Sequence, residues 1–552
     1  MVMKNTNSQS RPQPTQLSIL LLLLASNLVF ATPGRARPIP WVGVSPAHTQ
    51  SLTEEVQGLH GPFALDYFGT AFASGDFNAD GADDLATGIP GNDCGDGLAL
   101  DDCGAVQVRM GLPRLGLTSA VFILSPETAG APAPAEAHDR AGVALAAGDF
   151  NGDGHADLAV GEPGNGSPGE PGSVSAYYGY PNGIELVADH VLAPGAAGVP
   201  ASGPGNTSGF GSALAVGNFN CDLFDDLAVG FPGDSRATSG GTRVHTGSVL
   251  VANGGNGGLM PFDGYRISQG ELGLPDEGEV LDRFGAAVAA GDFNGDGCDD
   301  LAIGAPNEDD CGAVLVLFGS PNGLIFANNY WLGEVDHGGA CESGDHFAAT
   351  LAAGDLNGDH FDDLVIGVPD EDGNNGEIDM GMLGLVYGAP GSPLGGGGGL
   401  NIAAWQWWWE SLLGANSFTL DHFAGALTIG DFDADGYDDL VVGTPGNDSL
   451  TQGDGAVHVL AGNPGLIDAR YRRFIPRAGG FPGPADAQIS FGFGASFGVG
   501  DFDGNGQADL VLGEWSRDTV AVDDGAALVL YGHLFLDGFE SGNREAWSAS
   551  VN

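Results

Sequence analysis

The sequence predicts an all-β fold: a seven-bladed β-propeller built from four-stranded antiparallel blades. Three observations carry this. An acidic loop followed by a short apolar strand recurs seven times, its first residue at Asp76, Asp149, Asn218, Asp292, Asp355, Asp431 and Asp501. The copies are spaced by 63 to 76 residues, room for one small sheet each. Glycine (96 residues) and proline (32) punctuate the chain at a density that suits short strands and tight turns and argues against long helices.

The elements of one blade are clearest in the fourth repeat. Phe284 to Ala290 reads as its first strand and Asp300 to Ile303 as its second. Gly312 to Gly319 is the third, Ser320-Pro321-Asn322-Gly323 a turn, and Ala327 to Leu332 the fourth. A Phe precedes the loop by eight residues in six copies: Phe68, Phe210, Phe284, Phe347, Phe423 and Phe493; the second copy has Ala141. The second strand is stopped by Gly and usually Pro, as at Gly88-Ile89-Pro90, Gly230-Phe231-Pro232 and Gly443-Thr444-Pro445; the seventh copy has Gly513-Glu514-Trp515. Sheets of this size cannot bury two faces alone, but packed radially they cover one another and leave few edges. The last repeat supplies a third strand, Ala526 to Tyr531. A segment between Trp41 and Leu52 is the candidate for its fourth, which would clasp the ring.

The ends of the chain divide as follows. Residues 1–31 read as a secretory signal: Lys4 and Arg11 precede the run Leu17 to Ala25, and Val29-Phe30-Ala31 offers small residues before a cleavage point. That run is too short for an ordinary membrane span, so the mature chain is expected to carry no transmembrane segment. Residues 32–59 form a leader with the closing strand, 60–533 the propeller and 534–552 a tail. Six cysteines in an exported chain favour disulfides. Cys94 with Cys103, Cys221 with Cys298 and Cys311 with Cys341 is the pairing adopted among fifteen that six cysteines allow.

Charge excludes two partners. With 17 basic against 72 acidic residues the net charge is −55, so no nucleic acid is expected to bind and an anionic membrane surface is disfavoured. The acidity has a local source in the repeated loops. Oxygen-bearing side chains at loop positions 1, 3, 5 and 9 can converge on one hard cation, and a Gly at position 6 allows the tight turn. The expected ligands are Asp76, Asn78, Asp80 and Asp84; Asp149, Asn151, Asp153 and Asp157; Asn218, Asn220, Asp222 and Asp226; Asp292, Asn294, Asp296 and Asp300; Asp355, Asn357, Asp359 and Asp363; Asp431, Asp433, Asp435 and Asp439; Asp501, Asp503, Asn505 and Asp509. An EF-hand is excluded because position 12, where it needs Glu, is apolar or Thr throughout, from Thr87 to Leu512. Turn formation alone is the competing account, but seven repetitions of one oxygen spacing favour cation binding. A flexible all-oxygen cage suits Ca²⁺ better than Mg²⁺. The role expected is structural, since no acid or base accompanies an open coordination position. The third loop is expected to bind most weakly, with Asn218 for the first Asp and Leu223 for the position-6 Gly; the fifth, with His360 at position 6, is expected to be weakened less.

Phe-Gly at the strand start and Gly304-Ala305-Pro306 at the strand end resemble the FG-GAP repeat of integrin α-subunit propellers, over residues 60 to 533. The resemblance implies an integrin-like propeller, Ca²⁺ held in the loops between two strands of a blade, and ligand recognition or adhesion at a cell surface through upper-face loops. Nothing in the sequence resembles the integrin leg domains or transmembrane helix. Phe535 to Gly542 followed by Trp547 looks like a short C-terminal motif of exported bacterial proteins.

Other motifs are weaker. Gly494-Ala495-Ser496-Phe497-Gly498 matches a nucleophile-elbow pattern but overlies a first strand, the wrong context. His346 and His422 precede the repeat's Phe and read as structural positions. The acidic stretches Asp93 to Asp102 and Asp370 to Asp379 read as solvated loops. Trp405-Gln406-Trp407-Trp408-Trp409 falls where the fifth blade's outer strand belongs, and alternation would bury two of its Trp and expose two. Outer-strand packing is the simpler account; Trp407 and Trp408 as a platform for a sugar or protein is the functional one. The sequence thus points to a secreted, extracellular, periplasmic or surface-bound, monomeric, calcium-stabilised propeller for adhesion or for a protein or glycan ligand, without catalysis. A propeller-based lectin or polysaccharide-active enzyme is the alternative, and a coat component a third reading.

Overall fold

Seven four-stranded antiparallel sheets follow one another around an axis, within Ala47–Asn552 of a computed structural model. The structure describes residues 49–53, 66–94, 102–126, 137–164, 171–196, 198–203, 209–238, 241–271, 273–274, 278–334, 341–373, 378–391, 398–413, 419–446, 455–464, 471–474, 492–514 and 525–532. The expected signal, most of the leader and the tail lie outside these.

Blade 4 shows the common pattern. Its strands are Ala287–Gly291, Asp300–Ala305, Ala313–Phe318 and Ile325–Gly333, each hydrogen-bonded to the next. The first strand begins three residues later than the sequence suggests. Gly285 sits at φ +85, so Phe284-Gly285 forms a turn before the ladder starts. Each blade's second strand is six residues long and buried from end to end, from Asp84–Ile89 in blade 1 to Asp509–Glu514 in blade 7. Such unbroken burial follows from the radial arrangement, since every blade has a neighbour on both faces. The apolar clusters accordingly sit between blades. One joins Phe210 and Phe231 with Leu227 and Leu250; another joins Phe293 and Val316 with Ile366 and Val386.

The ring closes where its ends meet. Thr49–Leu52 pairs antiparallel with Ala526–Leu530, Thr49 opposite Leu530 and Leu52 opposite Ala527. This strand lies inside the Trp41–Leu52 window that the sequence offers. Leu52 is buried in the cluster shared by blades 7 and 1, beside Phe68 and Val529. The first strands of blades 1 and 7, Phe72–Gly75 and Phe497–Gly500, also touch across the seam.

The Phe-Gly and Gly-x-Pro motifs belong together for a physical reason. The N–H of Gly69 donates to the carbonyl of Gly88, and Gly142, Gly211 and Gly285 do the same to Gly161, Gly230 and Gly304. A Cβ on Gly88 would stand 2.0 Å from the carbonyl oxygen of Gly142 in the next blade. At the seam a Cβ on Gly513 would stand 2.5 Å from the Gly69 oxygen. Neighbouring blades approach too closely there for any side chain.

All three expected disulfides form: Cys94–Cys103, Cys221–Cys298 and Cys311–Cys341. Among the described residues no helix is long and apolar enough to cross a membrane.

Candidate metal centres

Antiparallel alternation puts the loop between a blade's first and second strands at one end of the propeller, here called lower. The seven acidic loops all lie there. In each, the first residue's Oδ1 accepts the N–H of position 5, as Asp76 does from Asp80 and Asp501 from Asn505. In six loops its other oxygen accepts the N–H of position 6, from Gly81, Gly154, Gly297, His360, Gly436 and Gly506. His360 holds this geometry at φ +70, a left-handed conformation costly for a residue with a Cβ.

The third loop differs. Asn218 Nδ2 donates instead to the Asp222 carbonyl, and Leu223 is 88% exposed. This loop is tied covalently to its neighbour, because Cys221 at position 4 bonds Cys298 at position 7 of the fourth loop. At three other junctions the same two positions meet as a glycine and an aromatic ring. A Cβ on Gly152 would stand 2.6 Å from Phe224, and one on Gly295 would stand 2.3 Å from Phe361.

The position-9 carboxylates Asp84, Asp157, Asp226, Asp300, Asp363, Asp439 and Asp509 are fully buried. Each is also a backbone tie. Asp439 accepts the N–H of Phe432 at position 2 (3.2 Å) and of Gly462 after the third strand (3.0 Å); Asp509 does so from Phe502 and Gly532. Burial is the main force pushing these carboxyls up, to about 8 in six loops and about 7 for Asp226, and their acidic loop neighbours add to it. The hydrophobic position-2 side chain, Phe in all but Leu356, is buried as well.

Do these loops fit a cation? Oxygens of Asp431, Asp433 and Asp439 lie within 4.8 Å of one another, as do those of Asp501, Asp503 and Asp509. Ligand oxygens held about 2.4 Å from one Ca²⁺ fall within that span. In four of the five loops with Asn at position 3, the Nδ2 faces the position-9 carboxylate, as from Asn294 to both oxygens of Asp300 at 3.1 Å; Asn78 Nδ2 lies instead against the Met110 sulfur. Asn294 Oδ1 and Asp503 Oδ1 are buried without a hydrogen-bond partner. Unused oxygens among crowded carboxylates are the donor set a hard cation wants.

Sequence reasoning missed a second system in the same loops. The N–H at position 8 donates to the position-1 carbonyl of the preceding blade, from Ala156 to Asp76, Asp225 to Asp149, and so on around to Asp83, which donates to Asp501. At five of the seven junctions the position-8 side chain answers back. Asp225, Asp299, Asp362, Asp438 and Asp83 accept the position-1 N–H of the blade before, at 2.7 to 3.0 Å. Ala156 and Ala508 cannot. The signal was visible as an Asp-Asp doublet opening five second strands.

The upper end is less regular. The residue before each repeat's Phe, or before Ala141 in the second, takes a left-handed conformation, from Tyr67 (φ 57) to Gly492 (φ 99). Around Arg140, Arg283, His245, Ser212, Pro232 and Leu281 opens a depression of about 540 Å³. His346 Nδ1 and His422 Nδ1 both meet the carboxylate of Asp370, which holds that carboxyl down near about 2 against the effect of its partial burial. Hydrogen bonding to Asp370 raises both histidines. Asp370 is therefore an anchor and not part of a solvated loop, because the two histidines converge on it from neighbouring blades. Asp102 likewise meets His138 at 3.3 Å.

The remaining candidates resolve into packing. Ser496 is buried and its hydroxyl donates to Gly69 across the seam at 2.6 Å. Gln406–Trp408 is the outer strand of blade 5, paired with its third strand. The expected two buried and two exposed Trp are instead all partly buried. Trp405, Trp407 and Trp409 pack towards blade 4, with Trp405 stacked on Phe347, and Trp408 packs towards blade 6. Alternation separates the faces, but in a propeller both are covered.

The seven-bladed propeller carries FG-GAP repeats. Four stretches, residues 141–177, 284–317, 347–379 and 423–460, match the FG-GAP repeat. The chain is 31% identical over 247 residues to integrin alpha-PS2 of Drosophila melanogaster, covering 43% of this chain and 16% of that protein. It is 36% identical over 203 residues to phosphatidylinositol-glycan-specific phospholipase D of Bos taurus, covering 36% of this chain and 22% of that one. Integrin alpha pat-2 of Caenorhabditis briggsae is 30% identical over 254 residues, 44% of this chain and 18% of its own. The chain thus spans 16% to 22% of the length of these relatives. Two are integrins and one is named for an enzymatic activity, so similarity by itself assigns no activity.

Proposed function

We propose that this is a secreted or cell-surface propeller that binds a protein or glycan ligand at its upper end, with Ca²⁺ in the lower loops serving stability and no catalysis. The observation that supports the binding site is the upper depression. In a chain of net charge −55, it gathers Arg140, Arg283 and His245 beside Pro232 and Leu281. A concave apolar floor with a few convergent polar groups is the usual form of a ligand site. Its local positive charge against an acidic background selects a ligand that presents a carboxylate, either an acidic side chain or an acidic sugar. Three disulfides suit an oxidising compartment, in keeping with the expected signal.

The structural role of calcium rests on the convergence of loop oxygens and on the buried position-9 Asp, where a cation would replace mutual repulsion with attraction. The ranking of the loops follows the same reasoning. The third, with Asn218 and an exposed Leu223, should fill last in a calcium titration. A screen of glycan and protein arrays, with and without chelator, tests the binding reading. Capture without turnover is expected, and it should be lost in the double variant Arg140→Ala, Arg283→Ala while the melting temperature is kept. Product release, or capture indifferent to both arginines, would overturn it.

A further inference from the structure

Three consecutive blades place a polar residue at one register position, two residues beyond the partner of the third strand's second residue. Ile267, Leu332 and Trp408 pair with Val249, Val314 and Leu383, so Gln269, Glu334 and Glu410 are equivalent. Each is buried at the upper rim, where the next blade presents an Asp two residues before its Phe: Asp282, Asp345 and Asp421. Two of these junctions supply a donor. Between blades 3 and 4, Gln269 Nε2 donates to Glu308. Between blades 5 and 6, Arg473 Nη2 meets Glu410 at 3.0 Å.

At the junction between blades 4 and 5 the equivalent groups are all carboxylates. Glu334, Asp345 and Glu371 bring carboxylate oxygens within 4.8 Å of one another, and all three are buried. Glu371 is 8% exposed and its Oε2 has no hydrogen-bond partner. Asp345 receives the Glu342 N–H, but Glu342 and Asp372 add further negative charge nearby. Three buried carboxylates cannot stay together charged without a counter-ion. Their spacing suits oxygens ligating one hard cation.

We propose that Glu334, Asp345 and Glu371 bind a divalent cation, Ca²⁺ or an ion of like hardness, that joins the outer strand of blade 4 to blade 5 at the upper rim. The site is separate from the seven loops, at the opposite end of the strands. It does with a cation what Gln269 does with an amide one junction earlier.

The test uses the full chain crystallised with Mn²⁺. An anomalous peak is expected between the three carboxylates, and the loop sites give their own peaks, so failure at the triad is distinguishable from failure of the loop reading. Native mass spectrometry in Ca²⁺ should show Glu371→Gln binding one ion fewer than the wild type. Glu334→Gln, which copies Gln269, should also lose one ion yet lose less of its melting temperature in chelator than the wild type does. Manganese peaks at loops with none at the triad, or equal ion counts in wild type and Glu371→Gln, would overturn the proposal. Should either variant fold poorly, the wild-type crystal alone decides.

Discussion

The two ends of this propeller are built on opposite plans. At the lower end one solution is repeated: the same buried Asp at position 9 and the same backbone link to the next blade seven times around, and the same turn in all but the third loop. At the upper end neighbouring blades differ. Gln269, Glu334 and Glu410 occupy one position with three different partners, and arginine, histidine, tyrosine or glycine precedes the repeat's Phe. Repetition marks what the ring needs to close. Variation is free to appear where closure does not depend on it, and there a binding surface can form.

The comparison can be broken at several points. The largest effect should come from the seam. Deleting residues through Leu52 removes the strand on Ala526–Leu530 and exposes the cluster around Phe68 and Val529. The truncated chain should lose its cooperative melting transition, and a retained transition would mean that the clasp is dispensable. Next is a buried tie of the lower end. Asp439→Ala removes the buried acceptor shared by the N–H groups of Phe432 and Gly462. That should cost about 2–5 kcal/mol in chemical unfolding. Arg283→Ala at the upper end should stay within about 0.5 kcal/mol of wild type.

A smaller effect is expected at the Trp strand. Trp407→Ala with Trp408→Ala should lower the melting temperature by removing packing against Phe347 and blade 6, with ligand capture retained by the folded protein. Loss of capture at unchanged stability would instead make them a platform. Smaller again is the blade-to-blade carboxylate. Asp225→Ala removes a hydrogen bond that the Ala156 and Ala508 junctions do without, and should cost about 1 kcal/mol.

The smallest effect should be a pH dependence at the upper end. Hydrogen bonds to Asp370 raise His346 and His422, so their contribution is fully present below the free-histidine value and is lost as pH rises through the raised ones. Asp370 is depressed to about 2, so its contribution holds above the ordinary aspartate range and is lost as pH falls towards 2. The bridge should therefore be strongest between about pH 4 and 6.5. Asp370→Asn should flatten melting temperature against pH on both sides of that window.

Much of the lower end was legible because its information is local. The oxygen spacing within nine residues, the glycine at the turn and the apolar run after Asp300 all lie within one short stretch, and repetition removes chance. The pairing of Cys221 with Cys298 was legible because equivalent loops of adjacent blades must be neighbours. The reading misplaced the start of the first strand, because Gly285 turns the chain before the ladder begins. It also took Asp370 and Glu371 for parts of a solvated loop. Nothing near them in sequence says that His422, Glu334 and Asp345 will converge there.

The sequence alone determined the number of blades, the strand–loop–strand unit and the residues that line each acidic turn, because these follow from a repeated local pattern and the need to bury two faces of every sheet. The tertiary structure decided which groups meet between blades: the Asp225 link to blade 2, the arginines around the upper depression and the three carboxylates of Glu334, Asp345 and Glu371. Those meetings depend on the rotation from one blade to the next, a property of the packed ring that no stretch of chain contains.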